Sequence, residues 1–291
     1  LKYLSVGAAV LLLGLLLALG FGAFSIAFPN PQKVRLDYGQ VEDFFAGAQR
    51  LEGPRGVSGL LLPNPASRAV VVMCHGRSRQ KEQLLPLAVV LARNWNVFVF
   101  DFRSHGQRGY GPTSIGWHEA DDLAAVLDFL EPRFPEGLMV FGESMGAAAA
   151  VYELARHPRR AVKALVADGC YDDLEALVLA EGDRLGFPRL LTQASLTLAG
   201  LVADFTPHNL RPLDHAPNLK LPVLFLQAQT DQLVPPGAAQ RLAQAAGPNA
   251  QTATYPGGHD EPANPALQKL VSDYLKGLQP TAQGPDDPAA Q

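Results

Sequence analysis

The stretch Leu138-Met139-Val140-Phe141-Gly142-Glu143-Ser144-Met145-Gly146-Ala147-Ala148-Ala149-Ala150 decides how the rest of the chain is read. A short apolar run stops at Gly142, a serine stands two residues later, and an alanine-rich run follows. Gly-x-Ser-x-Gly between a strand and a helix puts the serine on a sharp, strained turn with its hydroxyl raised above the sheet. Gly142 and Gly146 leave room where side chains would meet the neighbouring strand or helix. The helix that opens at the serine aims its unpaired N–H groups at the place where an oxyanion would form. The plainer reading is a helix N-cap serine between packing glycines.

Working outward, strands alternate with helices. Residues 69–74, a β-branched run, read as a central strand covered on both faces. A helical pattern follows over 82–93, then a strand over 97–101, a helix over 117–130, the Ser144 turn, and a strand over 164–168. Early strands are expected at 34–38 and 57–62, with later ones at 222–226 and 251–255 and a closing helix at 265–275. This order predicts a mostly parallel central sheet flanked by helices, the α/β class. Residues 169–221 interrupt it with helical patterns at 174–185 and 190–202, the expected signature of a small helical cap above the strand ends.

Residues 4–28 carry no charge and would reach about 37 Å as a helix, enough to cross a bilayer. Residues 1–30 are therefore expected to be a single-pass membrane anchor. The alternative is a signal peptide cleaved before secretion, for which Ser25-Ile26-Ala27 is the one small-x-small site. A chain beginning near Pro31 is accordingly expected to stay soluble and to retain its activity. Residues 31–278 form the expected main domain, and 279–291, rich in Pro, Gln, Asp and Ala, a disordered tail. The 291 residues are 47% hydrophobic and 18% charged, with a net charge of −4, which offers no electrostatic footprint for nucleic acid. Cys74 and Cys170 are too few for a disulfide framework or zinc cluster and end apolar runs, so both are expected in the core.

A serine hydroxyl is a weak nucleophile and needs a base. His259 sits in Tyr255-Pro256-Gly257-Gly258-His259-Asp260, straight after the last expected strand. The imidazole in turn needs an acid to hold its tautomer. Asp231 fits, in Thr230-Asp231-Gln232-Leu233-Val234-Pro235, and Asp168 at the end of an earlier strand is its rival. The oxyanion would be bound by the backbone N–H groups of Met145 and of Arg77, after the His75-Gly76 turn.

With Ser144, Asp231 and His259 in that order, the chain resembles the α/β-hydrolase-fold serine hydrolases over about residues 34–278. Within them it is similar to the membrane-anchored Bem46-like and serine aminopeptidase-type groups. The matching stretches are His75-Gly76, Asp101-Phe102-Arg103-Ser104-His105-Gly106, the Gly142–Gly146 motif, 231–235 and Gly258-His259. Ser104 and Arg77-Ser78-Arg79 depart from the small residues common there; the two arginines are expected to be solvated or to favour an anionic substrate. The resemblance implies hydrolysis of an ester, thioester or amide through an acyl-serine, with no cofactor or metal and a small-molecule or lipid-derived acyl substrate. Haloperoxidase or C–C hydrolase chemistry on the same triad is the enzymatic alternative, and a silent lipid-binding or scaffold protein the non-enzymatic one. His75 and His105 are expected to fix turns, Glu119, Asp121 and Asp122 to favour a helix macrodipole, and His208 and His215 to be loop residues.

Overall fold

Alternate side chains of the central strands leave the backbone in opposite directions, and the core divides accordingly. The computed structural model describes residues 2–30, 45 and 47–278. The strand expected at 34–38 and the tail at 279–291 fall outside them. The main domain begins with an antiparallel pair, β1 (Gln49–Glu52) and β2 (Ser58–Leu62), followed by β3 (Ala69–Cys74), β4 (Asn96–Phe100), β5 (Gly137–Glu143), β6 (Val162–Asp168), β7 (Val223–Ala228) and β8 (Ala250–Tyr255). Their order across the sheet is β1-β2-β4-β3-β5-β6-β7-β8. β2 also runs antiparallel to β4, and all pairings from β4 through β8 are parallel.

Val70, Val72, Val140 and Leu165 pack on one face against α3 (Glu119–Leu130), α4 (Met145–Arg156) and α8 (Ala238–Ala246). Val71, Met73, Phe141 and Val166 pack on the other against α2 (Leu85–Leu91) and α9 (Pro265–Gly277). Cys74 and Cys170 are free and buried, as expected. The helix expected over 82–93 is shorter: residues 81–84 form a 3₁₀ turn, and α2 starts only at Leu85, with Pro86 in its first turn.

Between β6 and β7 lies the cap: α5 (Leu174–Arg184), α6 (Arg189–Ala203) and the short α7 (Pro212–His215). The N-terminal helix α1 (Lys2–Ala27) packs along α6 rather than standing apart. The turns carrying His75, Ser144, Asp231 and His259 follow the carboxyl ends of β3, β5, β7 and β8, the end of a parallel sheet where ligands bind.

Candidate active site

Ser144 has φ 53° and ψ −115°, a strained conformation for a residue with a side chain. Its N–H donates to Asp168 O at 2.8 Å, tying the turn to β6. A Cβ on Gly146 would lie 2.4 Å from Cys74 O, so the helix can start this close to β3 only with glycine there. Ser144 Oγ lies 2.9 Å from His259 Nε2, and His259 Nδ1 lies 2.7 Å from Asp231 Oδ2. Asp231 Oδ1 accepts from the N–H groups of Leu233 (2.8 Å) and Val234 (2.9 Å), which orients the carboxylate. Burial pushes the Asp231 carboxyl up, but its hydrogen bond and charge interaction with His259 outweigh this and hold it low.

Asp168, the rival acid, accepts from Tyr255 Oη at 2.9 Å and makes no hydrogen bond to His259. Burial pushes its carboxyl up to about 7. The structure therefore brings Asp231, not Asp168, to the imidazole. Gly76, the residue before Arg77, packs close to the serine, where a Cβ would meet Ser144 Cβ at 3.3 Å, and Met145 opens α4.

The Arg77 side chain corrects the expectation of a solvated group, although Arg77 also lines the cavity above Ser144. Its half-buried guanidinium donates to Ser25 O (2.5 Å), Ile26 O (2.9 Å) and Phe28 O (3.0 Å) at the C-terminus of α1. These are carbonyls that a helix end leaves unpaired, and a cation there also favours the dipole. Arg79 is likewise engaged, donating to Asp260 O at 3.2 Å with Nε 3.6 Å from Asp260 Oδ2. α1 is thus bolted to the loop that follows β3, beside Ser144, which does not fit a detachable tether.

His75 and His105 organise that loop. His75 Nε2 accepts from the Phe102 N–H at 3.1 Å, so Nδ1 carries the proton and donates to Gly76 O at 2.8 Å. Burial lowers its pKa to about 3, which keeps the ring neutral. His105 Nε2 accepts from the Ser78 N–H, and Nδ1 donates to Arg103 O. Glu119 does more than favour a helix dipole: wholly buried, it accepts from the hydroxyls of Thr113 and Ser114 and from the Ser114 and Gly116 N–H groups. Asp122 accepts twice from the Arg103 guanidinium, while Asp121 stays exposed. His215 stacks edge-on against Tyr152 and Trp117 instead of lying free in a loop, and His208 is exposed in a 3₁₀ turn. Among the described residues no group of His, Cys, Asp and Glu has the arrangement of a metal site.

Two features escaped the sequence reading. Lys81, one residue before the expected helix, is buried with its Nζ 2.6 Å from Asp101 Oδ2. Glu143, the x of the Gly-x-Ser motif, is also buried, and neither of its oxygens meets a donor among the described residues. Burial, reinforced by the charges of Asp260 and Asp168, raises its pKa well above the carboxylate range, so Glu143 holds its proton. Asp260, at φ 60°, places Oδ1 3.2 Å from His259 Nε2, and burial raises its pKa as well, against the charges of His259 and Arg79 that lower it. A charged residue flanking the nucleophile and another following the histidine were the only signals available.

Comparisons with known proteins agree with this architecture. Residues 65–180 match the family model described as Serine aminopeptidase, S33, and residues 203–286 the one described as TAP-like protein. The chain is 32% identical over 178 residues to YqkD of Bacillus subtilis, covering 59% of this chain and 58% of that protein. To Bem46 of Schizosaccharomyces pombe it is 24% identical over 215 residues, covering 72% and 65%. The matches thus span less than two thirds of the length of these relatives. Among solved structures, an esterase of Pyrococcus furiosus superimposes with a TM-score of 0.68 at 23% identity, covering 86% of this chain and 98% of that one. The ferulic acid complex of Est1E from Butyrivibrio proteoclasticus gives 0.61 at 17%, covering 79% and 99%. With two family models matched in succession and Bem46 among the relatives, the chain has the α/β-hydrolase fold and is similar to the Bem46-like group.

Proposed function

We propose that this chain is a serine hydrolase that cleaves an ester, thioester or amide through an acyl-Ser144 intermediate. The observation that carries the reading is the unbroken line Ser144 Oγ, His259, Asp231, with contacts of 2.9 and 2.7 Å. Ser144 Oγ attacks the acyl carbon as its proton passes to His259 Nε2, and Asp231 stabilises the imidazolium. The oxyanion accepts from the Arg77 and Met145 N–H groups. Collapse breaks the bond to the leaving group, which takes the proton from Nε2. Water, deprotonated by the same nitrogen, then releases the acid and restores Ser144. No step needs a cofactor or metal. The membrane-anchor reading of α1 is supported by the exposed apolar side chains from Val10 to Leu17, and its retention by the Arg77 contacts.

Labelling by a fluorophosphonate tests the mechanism. The wild-type chain is expected to be modified at Ser144, and Ser144→Ala to remain unlabelled. A folded protein that never labels, beside serine hydrolases that do, returns the reading to a silent binding or scaffold protein. A panel of acyl esters run beside peptide amides then separates esterase from peptidase activity.

The pH profile carries a further expectation. Burial disfavours charge on His259, but its hydrogen bond to Asp231 and the charges of Asp260 and Asp231 outweigh burial and raise its pKa above that of a free imidazole. The base must be neutral, so kcat/KM should rise with pH through this raised value. Asp260→Asn removes the charge 3.2 Å from Nε2 and should move the acidic limb to lower pH. An unmoved limb in the variant would show that Asp260 does not set the basicity of His259.

A further inference from the structure

The cavity above Ser144 has a volume of about 500 Å³, within the range of small-molecule sites, and its lining is overwhelmingly apolar. One wall belongs to α1, through Ala18, Phe21, Gly22 and Ile26; the facing wall belongs to cap helices α5 and α6. The two walls are closely joined. Ser195 Oγ on α6 donates to Leu19 O at 3.3 Å, and a Cβ on Gly22 would lie 2.5 Å from that hydroxyl oxygen. At the base, the Thr113 N–H donates to Ala27 O at 2.8 Å beside the Arg77 contacts.

The mouth is as apolar as the interior. Phe21, Leu185 and Phe187 line the cavity and are also 68%, 56% and 47% exposed. α6 also turns Leu190 and Leu201 outward, one near each of its ends. Exposed apolar side chains grouped at a cavity mouth mark a surface that meets apolar material. Glu181, the lining carboxylate farther from the triad, is neutralised by Arg184, with Nη2 to Oε1 at 2.6 Å.

Helix length decides what that material is. The part of the uncharged segment that precedes the α6 contact, residues 4–18, extends about 22 Å at 1.5 Å per residue. The hydrocarbon core of a bilayer is about 30 Å thick. For α1 to cross, the portion packed against the cap must also enter the apolar layer, and the rim at Phe21, Leu185 and Phe187 enters with it. We propose that the substrate is a long-chain acyl ester of a bilayer lipid, whose chain slides from the membrane through this rim into a channel walled by α1 and the cap. This rests on the serine-hydrolase reading. The anchor then serves as one side of the binding site, and the Arg77 guanidinium joins that side to the oxyanion loop.

The test uses the full chain in lipid nanodiscs, with p-nitrophenyl acetate and p-nitrophenyl palmitate as substrates and fluorophosphonate labelling of Ser144 as a separate readout. Wild type is expected to favour palmitate over acetate in kcat/KM by at least tenfold when the esters are presented in the nanodisc. Ala18→Trp closes the outer end of the channel from an exposed position, and Val178→Trp narrows it from the cap. Each should lower the palmitate-to-acetate ratio at least tenfold while Ser144 still labels. A wild type that labels but prefers acetate overturns the proposal alone, as do two folded variants with an unchanged ratio. A higher palmitate rate in detergent solution than in the nanodisc also overturns it, because the ester would then arrive from water. Absence of both labelling and ester hydrolysis overturns this proposal together with the serine-hydrolase reading.

Discussion

Asp231→Asn is expected to lower kcat by about 10³–10⁴ while leaving the fold intact. The reason lies in how the side chain is held. Oδ1 accepts from the Leu233 and Val234 N–H groups, so an asparagine keeps its carbonyl oxygen there and turns its NH₂ toward His259 Nδ1. That nitrogen must then accept, the imidazole proton moves to Nε2, and Nε2 can no longer take the proton of Ser144. Asp168→Asn provides the contrast. Its Oδ2 accepts from Tyr255 and its Oδ1 has no partner, so the amide should cost about 1 kcal/mol of stability and leave kcat close to wild type. Steady-state rates and urea unfolding of the two variants decide the matter. A nearly fully active Asp231→Asn beside a folded but inactive Asp168→Asn would move the acid to β6.

Lys81→Met should destabilise the protein by about 3 kcal/mol, the lower end of what breaking a buried ion pair costs. Methionine keeps much of the apolar stem and removes the ammonium 2.6 Å from Asp101 Oδ2, in a place where the two side chains are 2% and 1% exposed. Asp101 retains the N–H groups of Lys81 and Gln107, at 2.9 and 3.1 Å, which limits the loss. Adding Asp101→Asn to Lys81→Met should restore part of it, since a neutral amide no longer needs a counter-ion. Urea midpoints of the two singles and the double give the coupling. A Lys81→Met variant within 1 kcal/mol of wild type would show that the pair does not hold this loop.

Local patterns determined much of this molecule. A β-branched run such as Val70-Val71-Val72 suits a strand covered on both faces, and the Gly-x-Ser-x-Gly turn requires close backbone contact that glycine permits. The relevant forces act between neighbours in the chain, so the strand series, the cap helices and Ser144 and His259 were legible. Contacts between distant segments were not. Asp231 and Asp168 both end strands, and only the placement of β7 beside β8 carries Asp231 to His259, 28 residues away. Arg77 looked like a surface cation because its partners are three backbone carbonyls of a helix about 50 positions earlier, and backbone acceptors leave no mark in side-chain pattern. Lys81 and Glu143 carried the same ambiguity, since burial of a charge depends on what packs over it. The role of α1 is the largest such case. Its composition determined that it prefers an apolar surrounding, but Gly22 against Ser195 and Ile26 in the cavity wall arise from helix-on-helix packing that hydropathy does not encode.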